Sequence, residues 1–219
     1  MGQYYRGVVL GKTTKRVKRI IVKQAYCCYA HGNGAKLMEH SYVGNWYVKA
    51  YEQALANDYY GYPFVWVGDY ADEMFNTDVY SKAHEYIDNV IKRNAKKKGY
   101  YLNGFVFEKL YKNGDIEKAD ESDFVEKVIT KDNADKVDTF KYIINLDKKE
   151  AVAIPEYKED EWTIHPLPLL CASGNGRGGG DYHGINEDMV GAWAYDRIGL
   201  DNELPDSVKL IEIEFKERY

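Results

Sequence analysis

The chain has few of the devices that hold a small secreted domain together. Its 219 residues include three cysteines, Cys27, Cys28 and Cys171. An odd count, with two cysteines adjacent, supplies neither a disulfide framework nor the CxxC spacing of a redox pair or zinc knuckle. A reducing cytoplasm is therefore the expected compartment. No window approaches the roughly 18 apolar residues of a membrane helix. The opening Met1–Val9 lacks the charged-then-apolar order of a secretory signal, and Arg6 stands where N-myristoylation would need Ser or Thr. No membrane partner is expected. Proline is also sparse, with 5 residues, and no linker, low-complexity tract or fixed-period repeat divides the chain. One domain over residues 1–219 follows. The net charge of −5 gives no bulk attraction to nucleic acid, so a nucleic-acid partner is not expected.

Tyrosine, by contrast, is abundant: 21 residues against 7 Phe and 4 Trp. A large rigid face with a polar tip suits binding surfaces, and equally suits half-buried strand positions. Residues 3–10 and 17–26 are β-branched and aromatic-rich around Gly11-Lys12-Thr13-Thr14, the pattern of a hairpin whose lysines blunt its edge. Trp46–Ala56 has helical spacing with Asn45 as N-cap. Residues 63–67 form a continuous apolar run, read as a buried strand that ends at Gly68-Asp69-Tyr70-Ala71-Asp72. An amphipathic helix is expected over 78–93, stopped at Gly99.

Residues 100–154 read as β. Asn103-Gly104 and Asn113-Gly114 are both type I′ hairpin signals, but both are not expected to turn one regular meander, since the strand between them, 105–112, would be short. An acidic stretch, 115–127, reads as a loop or short helix. A hairpin is expected about Asp147-Lys148-Lys149, a helix from an N-cap at Asn186 through Ile198, and a half-buried strand over 211–215. Strands at both ends with helices between them indicate an α+β fold. The expected architecture is a mixed or antiparallel sheet with two to three helices packed on it and a glycine-rich loop near the C-terminal third.

That loop lies in the most unusual segment, Trp162–His183. Pro166 and Pro168 are expected to fix an extended run, and Gly174, Gly176, Gly178, Gly179 and Gly180 fall within seven residues. Gly174, Gly176 and Gly179 satisfy G-x-G-x-x-G, but no helix starts inside them, and the Lys-Ser/Thr ending of a P-loop is missing. Consecutive glycines could still form a nest of N–H groups for an anion, with Arg177 adding donors. The candidate ligand-binding set is Asn175, Gly176, Arg177, Gly178, Gly179, His31, His40 and Asp72. A catalytic reading uses His165, Asp181, His183 and Asp69, since histidine serves as a general acid or base near neutral pH. No zinc spacing such as H-E-x-x-H is present, so no metal site is assigned, and no cofactor is expected. The remaining reading is structural, with glycines that let close-packed backbones cross.

Several stretches together resemble a group of proteins from phages and other mobile elements of gut bacteria, a group without an assigned activity. They are Met1–Tyr5, Gly34–Asn45, Val67–Asp72, His165–Leu170 and Gly174–Tyr182. The resemblance spans most of the chain apart from about 78–140. It implies a phage or mobile-element setting and the host cell's cytoplasm. The leading expectation is an accessory binding protein that inhibits a host-defence factor or sequesters its nucleotide signal, with a host protein or a small anionic or nucleotide ligand as partner. A hydrolase or nucleotide-processing enzyme, and a virion-associated structural protein forming a homo-oligomer, are the alternatives.

Overall fold

A computed structural model describes residues 2–11, 20–26, 35–125, 137–158, 162–176 and 178–217. The first half contains β1 (Tyr5–Leu10), β2 (Val22–Gln24), α1 (Leu37–His40), α2 (Trp46–Ala56), β3 (Tyr62–Gly68), α3 (Ala71–Phe75) and α4 (Val79–Lys97). There follow β4 (Tyr101–Asn103), β5 (Val106–Leu110), β6 (Ile116–Ala119), β7 (Tyr142–Asn145) and β8 (Glu150–Ala153). The last third holds α5 (Pro166–Leu170), β9 (Ala172–Ser173), β10 (Gly184–Ile185), β11 (Arg197–Asp201), β12 (Lys209–Leu210) and β13 (Lys216–Glu217). The fold is α+β, as the sequence pattern indicates. No described helix is long and apolar enough to cross a membrane.

The main sheet runs β12-β8-β7-β11-β3-β1-β2, with β9 also on β3. Its pairs are antiparallel except β12–β8 and β3–β9. β3 is central because both of its faces are covered. Phe64 and Trp66 join one apolar cluster with Tyr47, Val48, Tyr51 and Leu55 of α2. Val65 and Val67 join a second cluster with Val79, Ala83, Ile87, Ile91 and Ala95 of α4. Alternation along the strand thus feeds two cores, which is why residues 63–67 read as an unbroken apolar run. β1 does the same, with Val9 on the α2 side and Val8 on the α4 side.

α2 starts as expected: the Asn45 carboxamide oxygen accepts from Tyr47 N–H at 2.9 Å and Val48 N–H at 3.2 Å. Its Tyr51 lies on β1 at Gly7, where a Cβ would come within 2.7 Å of the tyrosine ring. α4 ends before Gly99, whose φ of +85° suits a residue without a side chain. The hairpin of the opening residues pairs β1 with β2, while the expected turn at Gly11-Lys12-Thr13-Thr14 lies, apart from Gly11, outside the described residues.

Several local expectations are corrected. Both Asn-Gly pairs do turn one short meander, β4-β5-β6. At the first, Asn103 pairs with Val106, so Gly104 takes the leading central position with φ +62° and Phe105 the second. That phase is one residue off the type I′ placement. Part of the acidic stretch is strand β6, followed by a 3₁₀ turn over Glu121–Phe124.

Residues 166–170 form a helix instead of an extended run. The prolines sit at its first and third positions, where an N–H would have no intrahelical partner. The helix expected over 187–198 closes only a 3₁₀ turn, Glu187–Met189. Beyond it the N–H groups of Gly191, Trp193 and Tyr195 donate to Leu169, Leu170 and Phe64 carbonyls. Gly191 and Tyr195 have φ of +79° and +70°, so the chain threads between α5 and β3 and then becomes β11. Asn186, expected as the cap, is left-handed and uses its amide on the Glu214 carbonyl. Residues 211–215 keep the alternation of exposure expected of them but form no strand ladder.

Candidate functional site

The N-terminal segment gathers three loops. Asp69 N–H donates to the Tyr4 carbonyl at 2.9 Å, and Tyr4 N–H returns to the Asp69 carboxylate at 3.2 Å. Met38 N–H, at the start of α1, donates to the Gly180 carbonyl at 2.9 Å. Gln3 is fully buried among these loops. Its side-chain oxygen accepts from the Tyr5 hydroxyl at 2.9 Å and from Asn175 N–H at 3.2 Å. The glycines follow from this packing. A Cβ on Gly68 would lie 2.4 Å from the Gln3 amide nitrogen, and one on Gly178 would lie 2.5 Å from Gln3 Cβ. Gly174 would drive a Cβ to 2.4 Å from the Tyr5 hydroxyl. Much of the glycine block therefore exists so that two backbones and one glutamine can close on each other. Gly176 and Gly179 face open space, and Gly176 has φ +64°.

Beside this junction is a cavity of about 270 Å³. Tyr5, Leu37, Ala172, Tyr182 and Asp181 line it as buried residues, and His183 and Glu187 stand at its exposed rim. Asn175, Gly176 and Val190 complete it. Asp181 is 6% exposed. One carboxylate oxygen, Oδ2, accepts from Gly178 N–H at 2.8 Å. The other, Oδ1, is buried with no hydrogen-bond partner among the described residues. Burial raises the Asp181 carboxyl above its ordinary range; the Gly178 N–H, the Tyr5 hydroxyl and His183 oppose this more weakly, and Asp69 adds to it. Burial, reinforced by Asp181, also pushes the Tyr5 hydroxyl well up, so it stays protonated.

The other candidates lie elsewhere. His165 is 1% exposed and caps α5: its Nδ1 accepts from Leu167 N–H at 3.1 Å. The ring proton is therefore on Nε2, which donates to Glu52 Oε1 of α2 at 2.7 Å. His40 is fully buried, accepts from the Trp66 indole N–H at 2.6 Å and stacks on that ring at 5.3 Å. Asp72 holds the start of α4, accepting from Thr77 Oγ1, Tyr80 N–H, and the N–H and hydroxyl of Ser81. Desolvation acts upward on its carboxyl, but the Ser81, Tyr80 and Thr77 bonds outweigh it and hold it below the ordinary range.

Asp69 is close enough to Asp181 to act on its charge, yet it is not in the cavity wall. His31 and Arg177 lie outside the described residues, as do Cys27 and Cys28. Cys171 is buried and unpaired, and burial pushes its thiol well up, so it is inert. Among the described residues no group of three or more His, Cys, Asp or Glu could hold a metal ion.

Of the four residues in the catalytic reading, then, Asp181 and His183 share one cavity and His165 belongs to the core. Sequence reasoning missed Tyr5, Tyr182 and Glu187. Tyr5 and Tyr182 carried no local signal, because their part in the cavity comes from a contact between residues far apart in the chain. Glu187 read as an ordinary first-turn acid. Compared with known proteins, the chain matches no family model, no curated sequence and no solved structure.

Proposed function

We propose that this chain is an accessory binding protein of a phage or mobile element, that its site is the cavity beside the glycine loop, and that it acts by capturing a host protein. One observation carries the reading. The histidines and acids that a hydrolase would need are divided between structural posts and a small cavity, and Asp181, a residue of that cavity's wall, keeps one buried carboxylate oxygen without a hydrogen-bond partner among the described residues. Buried polar groups are normally satisfied, and of the buried atoms without a partner among the described residues, Asp181 Oδ1 belongs to the cavity's wall while Gln3 Nε2 and Trp193 Nε1 do not, which supports a ligand at the first.

The described wall carries Asp181 and Glu187 and no lysine or arginine. Carboxylates repel phosphates, so this wall favours a protein group or a neutral or cationic ligand over a nucleotide signal. The test is capture from a host-cell lysate by the wild-type chain and by the rim variants His183→Glu and Glu187→Arg, both exposed positions that leave the core intact. Wild type should retain one protein at near-stoichiometric level, and the rim variants should lose it. Equal retention by all three, or no retained species, overturns the proposal.

A further inference from the structure

The geometry points to a guanidinium group, of an arginine side chain or a small free guanidine, as the ligand of the Asp181 cavity. This rests on the reading of that cavity as the binding site and names the chemistry it recognises.

Four features converge on that group. First, Asp181 contributes a carboxylate to the wall, with Oδ2 held in place by Gly178 N–H and Oδ1 buried without a hydrogen-bond partner among the described residues. The carboxylate is thus oriented before any ligand arrives, and a charge-assisted bond to it is stronger than a neutral one. Second, acids outnumber bases among the described residues of the site: Asp181 in the wall, Glu187 at the rim and Asp69 near enough to act on Asp181, against His183. Third, two aromatic rings, Tyr5 and Tyr182, line the same space. Tyr182 is held edge-on by Phe215 at 5.4 Å, and its hydroxyl bonds to the Ile185 and Lys216 carbonyls. A rigid aromatic beside a carboxylate suits a planar cation that stacks and donates in its own plane, which describes guanidinium better than ammonium. Fourth, the volume of about 270 Å³ falls at or just under the lower end of small-molecule pockets, about 300–1,000 Å³. It accepts a side-chain head and not a whole nucleotide. A metal ion is a poorer fit, because no three ligating side chains meet there among the described residues.

The experiment is calorimetric titration of the full chain with five probes: methylguanidine, an acetylated Gly-Arg-Gly amide, its lysine and citrulline counterparts, and inorganic phosphate. Citrulline keeps the shape of arginine and removes the charge. The expected order is arginine peptide or methylguanidine first, lysine weaker, and citrulline weaker than arginine by at least about tenfold. Asp181→Asn keeps the acceptor for Gly178 N–H and should weaken the best probe by at least about tenfold while the chain remains folded by circular dichroism.

Binding of the peptide alone identifies an arginine of a partner protein, and binding of methylguanidine alone identifies a free small molecule; either supports the inference. Citrulline binding as tightly as arginine, Asp181→Asn binding unchanged, or no probe binding overturns it. Phosphate binding that Glu187→Arg strengthens also overturns it, yet leaves the cavity standing as the binding site. Lysate capture that fails as well removes both.

Discussion

His165 and Asp181 sit sixteen residues apart in one unusual segment and meet opposite fates. Both are buried, and each belongs to a residue type that works in catalysis and binding. His165 has both ring nitrogens occupied, one by the backbone of its own helix and one by Glu52 of α2. Asp181 has one oxygen occupied and one idle. The first arrangement ties two helices together across the core. The second leaves a cost in the folded state that packing does not remove. Residue type and sequence neighbourhood therefore do not separate these two residues. The count of satisfied hydrogen-bonding atoms does.

The strongest way to break this comparison is to remove His165. His165→Ala strips the N-cap from α5 and leaves the Glu52 carboxylate buried without a partner. A loss of about 3–5 kcal/mol is expected for such a broken buried pair, read as a lowered denaturation midpoint. Under conditions where the variant is folded, it should bind the cavity's ligand as wild type does. Lost binding with intact stability would place His165 in the site and erase the distinction.

Within the loop itself, two adjacent glycines sharpen the contrast. Gly178→Ala would press a methyl against Gln3 Cβ at 2.5 Å and its backbone nitrogen at 2.7 Å. The neighbour is backbone and cannot swing away, so a loss of about 1–3 kcal/mol is expected. Gly179→Ala meets nothing within 4 Å and has no positive φ, so its effect should stay within about 0.5 kcal/mol. Equal effects in thermal melts would mean that the glycines do not serve the crossing over Gln3.

Asp72 tests the other acid of the sequence set. It bonds Tyr80 N–H and Ser81 N–H at the start of α4. Asp72→Ala should cost about 1 kcal/mol, as for a lost helix cap, with no change in ligand affinity. A change in affinity without a change in melting would move Asp72 into the site.

These residues also show how much the chain disclosed. α2 was legible because Asn45 and the helical spacing agree, and β3 because five apolar residues in a row fit a strand buried on both faces. α5 was misread for a definite reason: two prolines resemble an extended segment, yet only Leu167 in that first turn has an N–H, and His165 accepts it. The expected helix after Asn186 had the right period, but the N–H groups of Gly191, Trp193 and Tyr195 bond to α5 and β3, partners that no local pattern reveals. Gln3 shows the limit most clearly. One polar residue near the terminus organises Gly68, Gly174 and Gly178, residues 65 to 175 positions away, and such a contact leaves no periodic trace. His40, Asp69 and the glycine block each stand out in the sequence, but the contacts that bring α1, residues 68–72 and Gly180 together are a tertiary fact.

The smallest effect concerns Asp181, and its sign decides the comparison. Burial raises the folded-state carboxyl above its ordinary 3.8, against Gly178 N–H, Tyr5 and His183 and together with Asp69. A raised acid binds its proton more tightly in the folded chain than in the unfolded one. Stability then falls as pH rises from 3.8 to the raised folded value, and the loss persists at neutral pH. Asp181→Asn has no proton to lose and keeps an oxygen for Gly178 N–H, so it removes that penalty. Melts across the acid range should show the variant at least as stable as wild type at neutral pH, with the gap closing as pH falls towards 3.8. A stabilising change that also abolishes ligand binding is the signature of a residue kept for function at the fold's expense. A variant less stable at neutral pH, by a margin that widens with pH, would show that the Asp181 carboxylate is satisfied after all and belongs with His165.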